Sequence, residues 1–309
     1  MATTDYTAGA GLRLRARRRR IGEDVVKGVL ALCALISVAT TVGIVVALFE
    51  PAIEFLREIS IVDFLSGTTW APLFEPAHFG VLQLVSGTIN VTLIASAVAM
   101  PLGLGAAIYL SEYASPRTRG ILKPALEVLA GVPTIVFGYF ALTFMTPLLR
   151  DIGIHVDIFN TLSAGLVMGV MLMPTVASLS EDAMGAVPRD LRDGAYALGS
   201  TKVQVATRIV VPAAVSGIVA SFVLAISRAV GETMIVLIAM GQQPNLTADV
   251  RESAEAMTAF IAATGAGDVP TGSIEYKTIF AVGALLFVLT LVMNVVAIRL
   301  VRRYREVYE

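Results

Sequence analysis

The stretch EDAMGAVPRDLRDGAYALGSTKVQVATRIVVPAAVSG, Glu181 to Gly217, decides the fold. It carries most of its charges in its first half, is longer than a helix-to-helix connection needs, and lies between two apolar runs. Within RDLRDGAYALG, helical spacing puts Leu191, Ala195 and Leu198 on one face and Arg189, Arg192 and Asp193 on the other. Gly199 is placed to take the left-handed backbone that ends a helix. The spacing therefore predicts a short helix, a tight turn, and a second helix that begins near Thr201 and stops at Pro212.

Outward from this segment the chain is apolar. Of its 309 residues 56% are hydrophobic and 15% charged, and the mean hydropathy is +0.78, a composition that excludes an ordinary soluble domain. A helix needs roughly 20 apolar residues to cross the hydrocarbon core. Six stretches qualify: Val25 to Phe49, Leu82 to Leu110, Ala125 to Leu149, Thr161 to Leu179, Ala213 to Met240 and Thr278 to Val301. The expectation is an all-α, polytopic membrane protein. Its parts are a basic N-terminal segment (1–24), a first span (25–49), an outer loop (50–81), a five-helix core (82–301) with an inner loop at 181–212 and an outer loop at 242–277, and a tail (302–309).

Basic residues set the expected orientation. Arg13, Arg15, Arg17 to Arg20 and Lys27, then Arg117, Arg119 and Lys123, then Arg189, Arg192, Lys202 and Arg208, then Arg299, Arg302, Arg303 and Arg305 fall on one side. Arg57, Arg150, Arg251 and Lys277 fall on the other, so both termini are expected in the cytoplasm. The first apolar run is too long for a signal peptide and ends in FEP, which reads as an uncleaved helix. The outer loops are read as docking surfaces or as caps on the helix ends, with Trp70 an interfacial anchor. The single cysteine, Cys33, permits no intrachain disulfide and is expected to pack. The chain holds no phosphate loop and no HExxH, CxxC or GxSxG pattern, so no cofactor or metal is expected and any ATP hydrolysis belongs to another chain.

Two charges stand apart. In AISRAVGETMIVLIAMG, Ala225 to Gly241, Arg228 and Glu232 lie inside an apolar span. On a continuous helix they share one face at i, i+4, with Arg228 about 24 Å beyond Pro212 at ~1.5 Å per residue. Charges at that depth are costly and functional by default. The residues leave two readings open: a buried ion pair that sets helix packing, or a polar face on which the Arg228 guanidinium meets an anion. Ser227 and Thr233 flank the pair as candidate pathway hydroxyls.

The Glu181 to Gly217 stretch resembles the permease subunits of type I ABC importers. Their signature is EAA, three residues, G, nine residues, I-x-L-P; the chain has Asp193, Gly194, Ala195, then Gly199, then Ile209 and Pro212, with every interval equal. Departures are Asp for Glu, Gly194 for the first Ala, and Val for Leu. The resemblance implies that these six residues seat a short helix in a groove of an ATPase subunit. GTINVTLIASAVAMPLGLGAAIYLSEYASPRTRG, SRAVGETMIVLIAMG and YKTIFAVGALLFVLTLVMNVVA are further similar to phosphate importer permeases of the PstC type, which implies a role for Arg228 and Glu232 in phosphate passage, with Glu232 keeping the arginine extended. It also implies partners: a PstA-like permease, two PstB-like ATPase subunits and a PstS-like phosphate-binding protein. The alternatives are a permease for another oxyanion (molybdate, sulfate or phosphonate) and a secondary anion carrier without an ATPase.

Overall fold

The computed structural model describes residues 21–303, and side-chain burial for residues 23–299. The arginine run and most of the basic N-terminal segment, with the last residues of the C-terminal tail, lie outside the described residues. The chain divides into two compact units, Met1–Ala47 and Leu48–Glu309. The first contributes the opening of helix α1 (Ile21–Glu58), whose Cys33 is exposed rather than packed.

Among its described residues the second unit is all-α apart from one two-residue ladder. After α1 come α2 (Ile61–Ser66), strands β1 (Trp70–Ala71) and β2 (His78–Phe79), and α3 (Leu82–Ile108). Then follow α4 (Pro116–Ala130), α5 (Thr134–Phe140), α6 (Thr146–Asp151) and α7 (Thr161–Gly185). The remainder is α8 (Arg189–Ala197), α9 (Lys202–Val205), α10 (Val211–Ala213), α11 (Val215–Val230), α12 (Met257–Gly265) and α13 (Ile274–Arg303). Among the described residues four helices are long and apolar enough to cross a membrane. The pairs α4 with α5–α6, bent by 88°, and α9–α10 with α11, bent by 72°, raise the number to six if each pair is one span.

The core is the parallel packing of α3 on α7. Its closeness depends on glycine: a Cβ at Gly165 would meet Ile94 Cβ at 2.7 Å, and one at Gly169 would meet Val98 Cβ at 2.6 Å. Small residues four apart let the two backbones approach, which in a lipid environment replaces the hydrophobic drive between helices. Around this seam Val91, Ala95, Met168, Met171 and Leu172 are fully buried. Pro174 sits within α7 without ending it, whereas Pro133 stands at the 88° corner, directly before α5.

The end where α3 and α7 begin, here the upper end, carries a second cluster. Phe55, Phe64, Trp70, Leu84, Met257 and Phe260 are buried there. Trp70 is 4% exposed and stacks edge-on against Phe260 at 5.0 Å, so it is a core residue of this layer and not a lipid-interface anchor. Thr88 accepts a hydrogen bond from the Met257 amide (3.0 Å) and Asn90 donates to the Thr247 carbonyl (3.1 Å), tying α3 to the 242–273 segment. The two upper segments are thus folded layers: α1 runs past position 49 to Glu58, and α13 begins at Ile274.

Candidate functional site

At the lower end, the helix-turn-helix of the 187–214 segment forms as its spacing predicts. Gly199 has φ +82°, with no atom within 4 Å of a Cβ built on it, so its requirement is conformational rather than steric. Thr201 then caps α9 through a reciprocal box: its hydroxyl accepts from the Gln204 amide, and the Gln204 side chain accepts from the Thr201 amide (2.8 Å). Pro212 cannot continue a regular helix, lacking a donor and clashing with the preceding turn. A π-helical turn, Ala206–Val210, comes just before it, and the chain turns at Ala214 into α11.

The face assignment needs correction. Ala195 is buried and packs with Val205, Val210 and Ala214, with Ile209 partly buried against them. Leu191 and Leu198, expected on the same face as Ala195, are 39% and 89% exposed. Arg192, expected on the opposite face with Arg189, turns inward. Its Nη1 and Nη2 donate to the Val187 and Met184 carbonyls (2.6 and 2.7 Å), at and just beyond the end of α7, and Nη2 meets Glu112 at 3.2 Å. Asp193, Gly194, Gly199 and Pro212 are exposed. Hence α8, with its cap residue Leu198, presents Leu191, Asp193 and Gly194 outward from a base pinned by Arg192.

A buried ionic joint beside this segment escaped sequence reading. Glu181, in the last turns of α7, is fully buried and pairs with Arg119 and with Lys123 (2.7 Å) of α4; Lys123 also reaches Asp182 (3.0 Å). The signal was present, since Glu181 is an acid at the edge of an apolar run and Arg119 and Lys123 lie one turn apart. Their partnership across more than fifty positions was not.

The second correction concerns Arg228 and Glu232. The helix that was to carry both ends at Val230 and resumes at Met234, followed by a π-helical turn Val236–Met240. Glu232 is buried in the break, 8% exposed, and its Oε1 accepts hydrogen bonds from the amides of Met234 (3.1 Å) and Ile235 (3.3 Å). Its backbone carbonyl accepts from the Thr258 hydroxyl (2.6 Å). Glu232 therefore caps the restarted helix, and among the described residues no ion pair links it to Arg228. Both charges suit the helix dipoles, with Arg228 in the last turn of α11 and the carboxylate at a helix start.

Arg228 is exposed on the flank of α11, where Nη1 lies 3.4 Å from the Thr175 hydroxyl of α7. Ser227 donates to Asn294 of α13 (2.9 Å), and the Thr233 hydroxyl lies within the break, 3.4 Å from the Gly231 carbonyl. So Ser227 faces a neighbouring helix, and Arg228 is left with a guanidinium that no carboxylate neutralises among the described residues. The described residues hold no group of acids, histidines or cysteines able to bind a metal ion.

These features have counterparts. Residues 99–306 match the family of binding-protein-dependent transport system inner membrane components. A probable ABC transporter permease, YqgH of Bacillus subtilis, is 32% identical over 90% of this chain and 91% of its own length. The phosphate transport system permease PstC of Xylella fastidiosa is 30% identical over 85% and 87%. A bacterial ABC transporter involved in alginate import shares the fold at a TM-score of 0.63 and 16% identity, covering 93% of this chain and all of that one. The methionine transporter MetNI does so at 0.54 and 19%, over 74% and 95%. With its all-α core, its signature loop and a match across most of its length, this multi-pass membrane chain belongs to the binding-protein-dependent transport system inner membrane component family.

Proposed function

We propose that this chain is one of two permease subunits of an ATP-driven phosphate importer. The observation that carries the reading is Arg228, a guanidinium without a counter-charge among the described residues, held at a helix break inside the bilayer-crossing region. The phosphate permeases that align over most of the chain support phosphate as the anion. A guanidinium fork suits a phosphate oxygen pair, and at an intramembrane site its charge has no other evident use.

In this reading both termini and the 187–214 segment face the cytoplasm, and the upper layers (residues 50–81 and 242–273) face outward. Each of two PstB-like ATPase subunits binds one permease, this chain through Leu191, Asp193 and Gly194 on α8 and its cap residue Leu198. A PstA-like permease completes the pathway and a PstS-like protein delivers phosphate from outside. ATP-driven closure pushes on α8, and Arg192, Glu112 and the Glu181 joint pass the displacement to α3, α4 and α7. The cavity then opens outward, Arg228 meets phosphate, and hydrolysis resets the transporter. Glu232 contributes by fixing the break that ends α11 just beyond Arg228, not by shielding the guanidinium. The chain itself carries out no chemistry.

The test is phosphate uptake in vesicles holding the assembled complex. Arg228→Gln is expected to lower ATP-driven uptake by about 100-fold, the worth of a charged hydrogen-bond pair of roughly 3 kcal/mol. Undiminished uptake by an intact complex overturns the reading. Equal uptake of sulfate or molybdate by the unaltered complex, with a binding protein for each anion supplied, assigns the pathway to oxyanions in general.

A further inference from the structure

The upper layers enclose a pocket of about 490 Å³ that the transport reading does not use. The β1 region supplies Trp70, Leu73 and Phe74 to its wall, and the second segment supplies Glu255, Phe260 and Asp268. Glu255 is 5% exposed, and among the described residues its carboxyl makes no hydrogen bond and no ion pair. Burial alone pushes its pKa up to about 7. An acid kept in such a place is expensive unless something pairs with it.

The surroundings narrow the choice of partner. Aromatic faces around a carboxylate bind organic cations, through the ring quadrupole and the charge together. Trp70 and Phe260 make one wall, and Asp268 adds a second acid. An arginine or lysine side chain carries such a cationic head on an apolar stem that the aromatic wall can cover. Leu73 and Phe74, 57% and 73% exposed, line the same pocket as an apolar lip of the sort that protein contacts cover.

We infer that this pocket receives the arginine or lysine side chain of a protein that docks on the upper face, paired with Glu255 and Asp268 beside the wall that Trp70 and Phe260 form. That the partner comes from outside rests on the orientation proposed above. Nanodiscs, open on both faces, test the pocket without that assumption and without phosphate transport, so the two readings fail separately.

Trp70 is the sole tryptophan of the chain, so its emission reports occupancy. The full-length permease in phosphatidylcholine nanodiscs is titrated with acetyl-Gly-Arg-Gly-amide and with the same peptide carrying neutral citrulline. The arginyl peptide is expected to shift the emission saturably and the citrulline peptide not to. Glu255→Gln weakens the binding at least tenfold, and Asp268→Asn, at an exposed position, about threefold. Binding also falls from about pH 8 to about pH 6 as Glu255 takes up a proton. Should Glu255→Gln fail to fold, Asp268→Asn and the pH series decide. Equal response to citrulline, or indifference to both substitutions and to pH, overturns the inference. An equal affinity for methylguanidinium makes the pocket a small-cation site, and loss of the response in phosphatidylethanolamine makes it a lipid site; either result overturns the protein partner.

Discussion

Two helix breaks in the C-terminal half of the chain are built differently. At the lower corner, a backbone rule does the work: Gly199 takes φ +82°, Thr201 restarts the helix with a capping box, and Pro212 follows a π-helical turn. At the break beyond Val230, a buried side chain does it: Glu232 folds its carboxylate onto the amides of Met234 and Ile235. The first corner carries its instructions in residue types with strong local preferences. The second relies on an acid whose charge suggests a different partner. A corner set by backbone preference holds with its surface free, as the proposed ATPase contact requires. One set by a buried carboxylate fixes the residues around it, which suits the anion contact proposed for Arg228.

Substitutions at the two corners should separate these mechanisms. Gly199→Val forces a β-branched residue into the left-handed region at a cost of about 2 kcal/mol, and co-purification of the ATPase subunit should fall while the α3–α7 core stays intact. Unchanged co-purification would mean that α8 does not depend on this turn. Glu232→Ala removes the acceptor of two amide N–H groups in a buried break, and a cost of about 1–2 kcal/mol is expected in thermal unfolding of the solubilised complex; no loss would mean that the cap contributes nothing. The smallest effect, of opposite sign, is expected at Gly194. No atom lies within 4 Å of a Cβ built there, so Gly194→Ala should stiffen α8 and stabilise it by up to ~1 kcal/mol. A destabilised α8, read by proteolysis of the free permease, would contradict that.

Legibility followed the same division. The lower corner could be read because glycine, threonine and proline act on their own neighbours. The α3–α7 seam could have been read from Gly165 and Gly169, whose spacing is visible in the sequence, although which helix fills the gap is not. Arg192 and Glu181 were misread or missed because their partners are tertiary: the carbonyls at the end of α7 in one case, and α4 in the other. The pairing of Arg228 with Glu232 followed from assuming one unbroken helix. Gly231 between them was the available sign of a break, and i, i+4 spacing has no meaning across it. Trp70 was assigned by residue type to an interface, where the rings of Phe64 and Phe260 claim it instead.

The central claim is that Glu232 serves the backbone and leaves Arg228 free. A double-mutant cycle on the thermal stability of the assembled complex measures it, using Arg228→Gln, Glu232→Gln and the pair combined. The account predicts additive effects, with an interaction within about 0.5 kcal/mol of zero. A coupling well above ~1 kcal/mol would show that the two side chains hold each other, and would return Arg228 to the buried ion pair that the unbroken helix implied.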